Sequence, residues 1–204
     1  MAIKTKIIGR INSNELGINH DGSINVVAIP IPPIGTEQVA LPFSEYMKLN
    51  GTGTTSFLVN GAVTNQEFYV AAKGYDVYIN TIVFEISDAG ATMNKFGNIT
   101  ALTNGLDFYY FNSNEGKYII ESELKTNYDM VKLANFEPPF GSTALTNAIG
   151  NSEAYVGVVD LEDVFGLQWG LRLKANSLDR IGFTVKDNIT GIDTMTIKVY
   201  GIRV

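Results

Sequence analysis

From Ile181 to Val204 the chain alternates apolar and polar residues with a period of two. Phe183 and Val185 alternate with Gly182, Thr184 and Lys186; Met195, Ile197 and Val199 alternate with Thr194, Thr196, Lys198 and Tyr200. That period belongs to a half-buried β-strand and excludes a helix over the same residues. Residues 187–193 separate the two runs, so the stretch reads as a β-hairpin. The phase slips at Gly201, after which Ile202 and Val204 carry the apolar positions. A glycine at a phase slip predicts a β-bulge or sharp bend. The pattern runs to the last residue, so the final strand is expected inside a sheet.

The same reading applies upstream. Strands are predicted at Phe57–Val59, Glu67–Ala72, Tyr75–Ser87, Tyr128–Leu133 and Tyr155–Leu161, and around Trp169, Leu171 and Leu173. Asp107–Phe111 and Lys117–Ser122 read as a hairpin around residues 112–116. Within Tyr75–Ser87 the apolar phase shifts near Asn80, which predicts a second bulge. Leu41–Asn50 reads as a short helix with Ser44 as N-cap, residues 87–105 as a long connection, and residues 162–165 as a helical turn. About ten short strands with turn signals every ~8–12 residues predict an all-β fold, an antiparallel β-sandwich or jelly-roll.

The first 33 residues differ. Lys4, Lys6 and Arg10 lie along a strand-like run, and polar turns follow at Asn12–Asn14 and at His20-Asp21-Gly22-Ser23. Pro30, Pro32 and Pro33 then favour an extended, polyproline-like stretch, which reads as a hinge or strap between an arm and a body or as an ordinary surface loop of a single domain. Residues 1–33 are therefore expected to form an extended N-terminal arm and residues 34–204 a β-sandwich body. Such an arm has little to bury by itself and gains order by adding a strand to a neighbour's sheet edge.

Composition narrows the function. The 204 residues are 45% hydrophobic and only 18% charged, a polar uncharged skin suited to contact with other protein. The formal net charge of -6 and the absence of a dense Lys/Arg cluster argue against direct nucleic-acid binding. There is no cysteine, which excludes disulfides, thiolate metal sites and Cys nucleophiles. No run approaches the roughly 18 apolar residues of a membrane span. Residues 1–10 lack a signal-peptide apolar core, so synthesis and retention in the cytoplasm, or release by lysis, are expected.

Chemistry-bearing patterns are sparse. The single histidine, His20, sits beside Asp21 in a turn, with no further member of a triad. Glu121 and Glu123 share a predicted strand face and Glu162 and Asp163 are adjacent, but neither spacing specifies a glycosidase pair. Asp187, Asn188 and Asp193 could offer oxygens to Ca²⁺, yet lack EF-hand spacing, and turns favour the same residues. Gly51-Thr52-Gly53 lacks the Gly-Lys-Ser/Thr of a phosphate loop. Tyr75, Tyr78, Tyr109, Tyr110, Tyr118, Tyr155 and Trp169 are expected mainly in the core or a subunit interface, with exposed ones able to stack on sugar rings. No catalytic, cofactor-binding or metal-ligating residue is therefore assigned, and no cofactor is expected.

Three stretches carry a family resemblance: Gly17-Ile18-Asn19-His20-Asp21-Gly22-Ser23-Ile24 with Pro32-Pro33; Asp76-Val77-Tyr78-Ile79 through Phe96-Gly97-Asn98-Ile99-Thr100-Ala101-Leu102-Thr103-Asn104-Gly105; and Phe183 through Asp193. The chain resembles structural proteins of tailed-bacteriophage virions, at head-decoration, neck or tail positions. The resemblance implies a non-enzymatic β-sandwich with an arm that laces neighbours together, assembled in the host cytoplasm and resident in the virion. Its implied partners are copies of itself and other virion structural proteins, with no direct nucleic acid and no membrane. Two other readings stay open: a carbohydrate- or receptor-binding module of a phage particle, and a glycan-cleaving enzyme with an unrecognised carboxylate pair.

Overall fold

The computed structural model describes residues 40–53, 57–134, 152–162, 166 and 169–204. The expected arm and strap at residues 1–33 lie outside them. The strands described belong to one unit, Val39–Val204. They are β1 (Leu41–Tyr46), β2 (Lys48–Leu49), β3 (Gln66–Ala71), β4 (Val77–Ala89), β5 (Leu106–Asn112), β6 (Gly116–Leu124), β7 (Ser152–Asp160), β8 (Leu171–Leu173), β9 (Arg180–Val185) and β10 (Thr194–Arg203), with one helix, α1 (Asn127–Ala134), between β6 and β7.

The strands form two antiparallel five-stranded sheets. Sheet I has the order β1-β10-β4-β7, with β8 also paired to β4; sheet II has the order β2-β3-β9-β5-β6. Their inward side chains make one core. Sheet I supplies Ile82, Phe84, Ile86, Met195, Ile197 and Val199; sheet II supplies Phe68, Val70, Phe108, Ile181, Phe183 and Val185, all buried. Phe108 and Phe183 stack with ring centroids 4.9 Å apart. The expected all-β sandwich is the observed one.

The C-terminal strands occur where alternation predicts them, but they are not a hairpin. β9 pairs with β3 and β5 in sheet II, whereas β10 pairs with β1 and β4 in sheet I. Alternation reveals which side chains are buried, not which strand is the neighbour. Here the two apolar sets face each other across the core. Residues 186–193 make the crossing, and Ile189 and Ile192 are buried along the way.

The two predicted phase slips are one feature. Tyr200 pairs with Thr81 and the next residue, Gly201, pairs with Ile79, so Asn80 is the extra residue of a bulge in β4. A Cβ on Gly201 would fall on the Tyr78 carbonyl oxygen, which is why glycine sits opposite the bulge.

Leu41–Asn50 is not a helix. It forms β1, paired to sheet I, then β2, paired to sheet II, with Met47 buried at the corner and its N–H donated to the Ile197 carbonyl at 2.9 Å. Phe43 and Met47 are spaced four apart and both buried, so a turned corner reproduces a helical spacing. Conversely, the strand expected at Tyr128–Leu133 is α1. The Asp129 carboxylate accepts the N–H groups of Lys125 and Thr126, and Thr126 Oγ1 accepts the Asp129 N–H at 3.1 Å. This reciprocal cap satisfies the helix's first donors and holds it against the strand alternative. Phe57–Val59 is not a strand; beside it only the isolated bridge Asn60–Asn188 forms.

Candidate binding faces

The acidic residues of the loops act as staples. Asp179 is 4% exposed and accepts the Ser113 N–H at 2.9 Å, the Ser113 hydroxyl at 2.7 Å and the Lys174 N–H at 3.0 Å. Burial alone would raise its pKa, but these donors, with Ser177, outweigh it and hold the carboxyl below the usual range. Asp187 accepts the Asn104 and Gly105 N–H groups at 2.8 and 2.6 Å, and its other oxygen takes the Asn104 amide at 3.3 Å. Asp76 binds the Arg172 guanidinium and accepts the Ala175 N–H at 2.7 Å.

That geometry places several sequence candidates. Both oxygens of Asp187 accept hydrogen bonds from the turn at 104–105, while Asn188 Oδ1 accepts the Thr190 N–H at 3.0 Å, an Asx turn within the suggested calcium loop. Among the described residues no group of three His, Cys, Asp or Glu is placed to hold a metal ion. Glu121 and Glu123 do not follow a regular alternation. The β5–β6 register shifts twice beside them, and Glu123 takes φ 58°. Glu162 donates its N–H to Asp160 Oδ1 at 2.9 Å; Asp163, His20 and Asp21 lie outside the described residues. Gly51 and Gly53 are turn residues with φ 72° and 83°.

A depressed Asp179 makes stability pH-dependent with a defined sign. The unfolded chain has the ordinary aspartate value of about 3.9. The stabilisation is therefore complete above that pH and is lost as pH falls through the lower folded value. Asp179→Asn should lose about 2 kcal/mol at pH 7, and the gap to wild type should narrow between pH 5 and pH 2 in urea titrations.

The aromatics divide by face. Tyr109 and Tyr155 are buried, Tyr75, Tyr78 and Tyr110 half-buried, and Tyr118 and Trp169 exposed. On the outer side of sheet II, Tyr109 donates its hydroxyl to Glu67 at 3.0 Å, and Glu67 also binds Lys117 at 2.8 Å. Lys117 reaches Thr184 at 2.8 Å and lies 3.9 Å from the Tyr109 ring centroid; Arg180 lies 4.1 Å from that of Phe111. Burial would raise the Glu67 pKa, but Lys117, Tyr109 and Arg180 together hold it low. Burial and then the Glu67 charge push the Tyr109 phenol well above its usual range. Gly182 lies between Tyr69 on β3 and Tyr109 on β5, and its missing side chain leaves room there. This network fills the sheet II face and ties four strands together.

The outer side of sheet I is more open. The register places Tyr46, Lys198, Val83 and Val158 in one row across β1, β10, β4 and β7. Tyr46, Val158 and Tyr200 are 53%, 45% and 39% exposed. The Lys198 ammonium lies 5.3 Å from the Tyr46 ring centroid and 4.8 Å from that of Tyr200. Lys198 and Tyr200 are visibly two apart in the sequence. Their relation to Tyr46 stays hidden while residues 41–50 are read as helix.

No family model, no curated protein and no solved structure matches the chain. No helix among the described residues is long and apolar enough to cross a membrane.

Proposed function

We propose that the protein is a non-enzymatic structural component of a tailed-phage virion, with a jelly-roll body that works by homo-oligomeric assembly and contacts with other virion proteins. The observation that carries this reading is the strand order. With the short β2 and β8 set aside, the sheets run 1-10-4-7 and 3-9-5-6. That order supports a double Greek key of the jelly-roll kind, an architecture used by viral capsid and lectin domains. The architecture alone does not choose between them. The loop carboxylates favour the capsid-type role, because Asp76, Asp179 and Asp187 are occupied in holding loops. Large exposed apolar side chains add to it: Leu58, Val63, Leu178 and Trp169 are 61–86% exposed.

The lectin-like alternative, a carbohydrate- or receptor-binding module, is favoured by one observation, the exposed tyrosines flanking Lys198. Deletion separates the readings. Removal of residues 1–29 should leave a body with unchanged circular dichroism that no longer assembles beyond a dimer in light scattering. Oligomers of unchanged mass after this deletion would count against arm-mediated assembly. Reproducible glycan-array binding, lost on replacing Tyr46 and Tyr200, would favour the alternative.

A further inference from the structure

We infer that the outer face of sheet I is a self-docking surface, closed by the same face of a second copy about a two-fold axis lying in the interface. The inference rests on the assembly reading and names one surface that performs it.

The outer face of a sheet is usually polar where the inner face is apolar. Here Tyr46, Val83 and Val158 break that rule on three of the four strands, in one row with Lys198, and Val158 and Tyr46 are about half exposed. Charge decides what fits it. Glu85 lies two residues from Val83 on β4, so its side chain shares the outer face; it is paired across the ladder with Thr196, two residues from Lys198 on β10. Lys198 and Glu85 thus occupy a diagonal on adjacent strands, about 8 Å apart from strand spacing and residue rise. Among the described residues neither makes an ion pair: no carboxylate is within bridging distance of Lys198, and no cation of Glu85.

A two-fold axis lying in the face, midway between these charges, brings each Lys198 over Glu85 of the second copy. On the spacings of the ladder that axis runs beside Val83 and Val158, so the valines meet their own counterparts at the centre. One operation therefore joins apolar to apolar and cation to anion, which is the self-complementarity an isologous contact requires. A partner of uniform charge would leave either Lys198 or Glu85 facing a like charge.

The test is charge exchange in the full chain, read by multi-angle light scattering and sedimentation velocity over a hundredfold concentration range. Lys198→Glu and Glu85→Lys are each expected to weaken association at least tenfold with circular dichroism unchanged, since both side chains lie on the outer face of the sheet. An equimolar mixture of the two single variants should restore the wild-type mass, as should the double variant. Single variants that associate like wild type would overturn this surface while leaving assembly intact. Wild type that stays monomeric throughout the range would overturn the assembly reading and the surface together. Loss of glycan binding on Lys198→Glu, with association unchanged, would assign the face to a sugar instead.

Discussion

Replacing Gly182 with alanine is expected to leave the protein largely unfolded. Gly182 sits in the central strand of sheet II, paired to β3 and β5 at once. A Cβ there would fall on the Phe68 carbonyl oxygen, 2.7 Å from the Tyr69 Cβ and 2.8 Å from the Tyr69 Cα. Most of those atoms are backbone, so no side-chain rotation relieves the overlap, and the β3–β9 ladder must separate. A loss on the order of the ~5–15 kcal/mol by which whole domains are stable is expected. Gly74→Ala is the matched control. Its Cβ would meet nothing nearer than the Asn176 Oδ1 at 3.9 Å, so its urea midpoint should stay within about 0.5 kcal/mol of wild type.

The second large effect is expected at Asn127, a polar side chain with no exposed surface. Its Oδ1 accepts the Gly97 N–H at 2.8 Å, and its amide donates to the carbonyls of Thr92 at 2.9 Å and Gly97 at 3.2 Å. It thereby fastens the long 90–105 connection to the first turn of α1. Asn127→Leu keeps the volume but strands one donor and two acceptors out of reach of water. Each such group costs about 1–3 kcal/mol, so a total near 3 kcal/mol is expected in equilibrium denaturation. Asn127→Asp should lose a comparable amount, because a carboxylate cannot donate to either carbonyl.

Neither residue stands out in the sequence, and the reason is common to both. Period-two alternation is a property of one strand and its two faces, so β3, β4, β7, β8, β9 and β10 are legible without a structure, and β5 and β6 from the hairpin signal between them. Even the bulge at Asn80 is visible twice, once in each strand that it joins. Pairing is a property of two distant segments. That is why the run 181–204 looks like a hairpin although its halves lie in opposite sheets. It is also why Gly182 looks like any other polar position of an alternating strand. Helix signals fail for a related reason: Phe43 and Met47 imitate a turn of helix because the chain bends between two short strands. The opposite error at α1 had a local remedy, since Thr126-Asn127-Tyr128-Asp129 spells a capping sequence before the apolar residues Met130, Val131 and Leu133. The open face of sheet I could not be assembled from sequence, because Tyr46 meets Lys198 across 152 residues and only once β1 is known to be a strand.

The same distinction bears on function. Among the described residues, the Asp179 and Asp187 carboxylates are occupied by backbone donors of other loops. An exposed row on sheet I and exposed apolar side chains such as Leu58 and Val63 lie at the surface.

The most direct measurement is the mass of the full-length protein in solution by multi-angle light scattering. The account predicts a concentration-dependent approach to an integral multiple, two or more, of the 22.3 kDa chain mass, shifted to higher concentration by Lys198→Glu. A single species of 22.3 kDa at every concentration would contradict it.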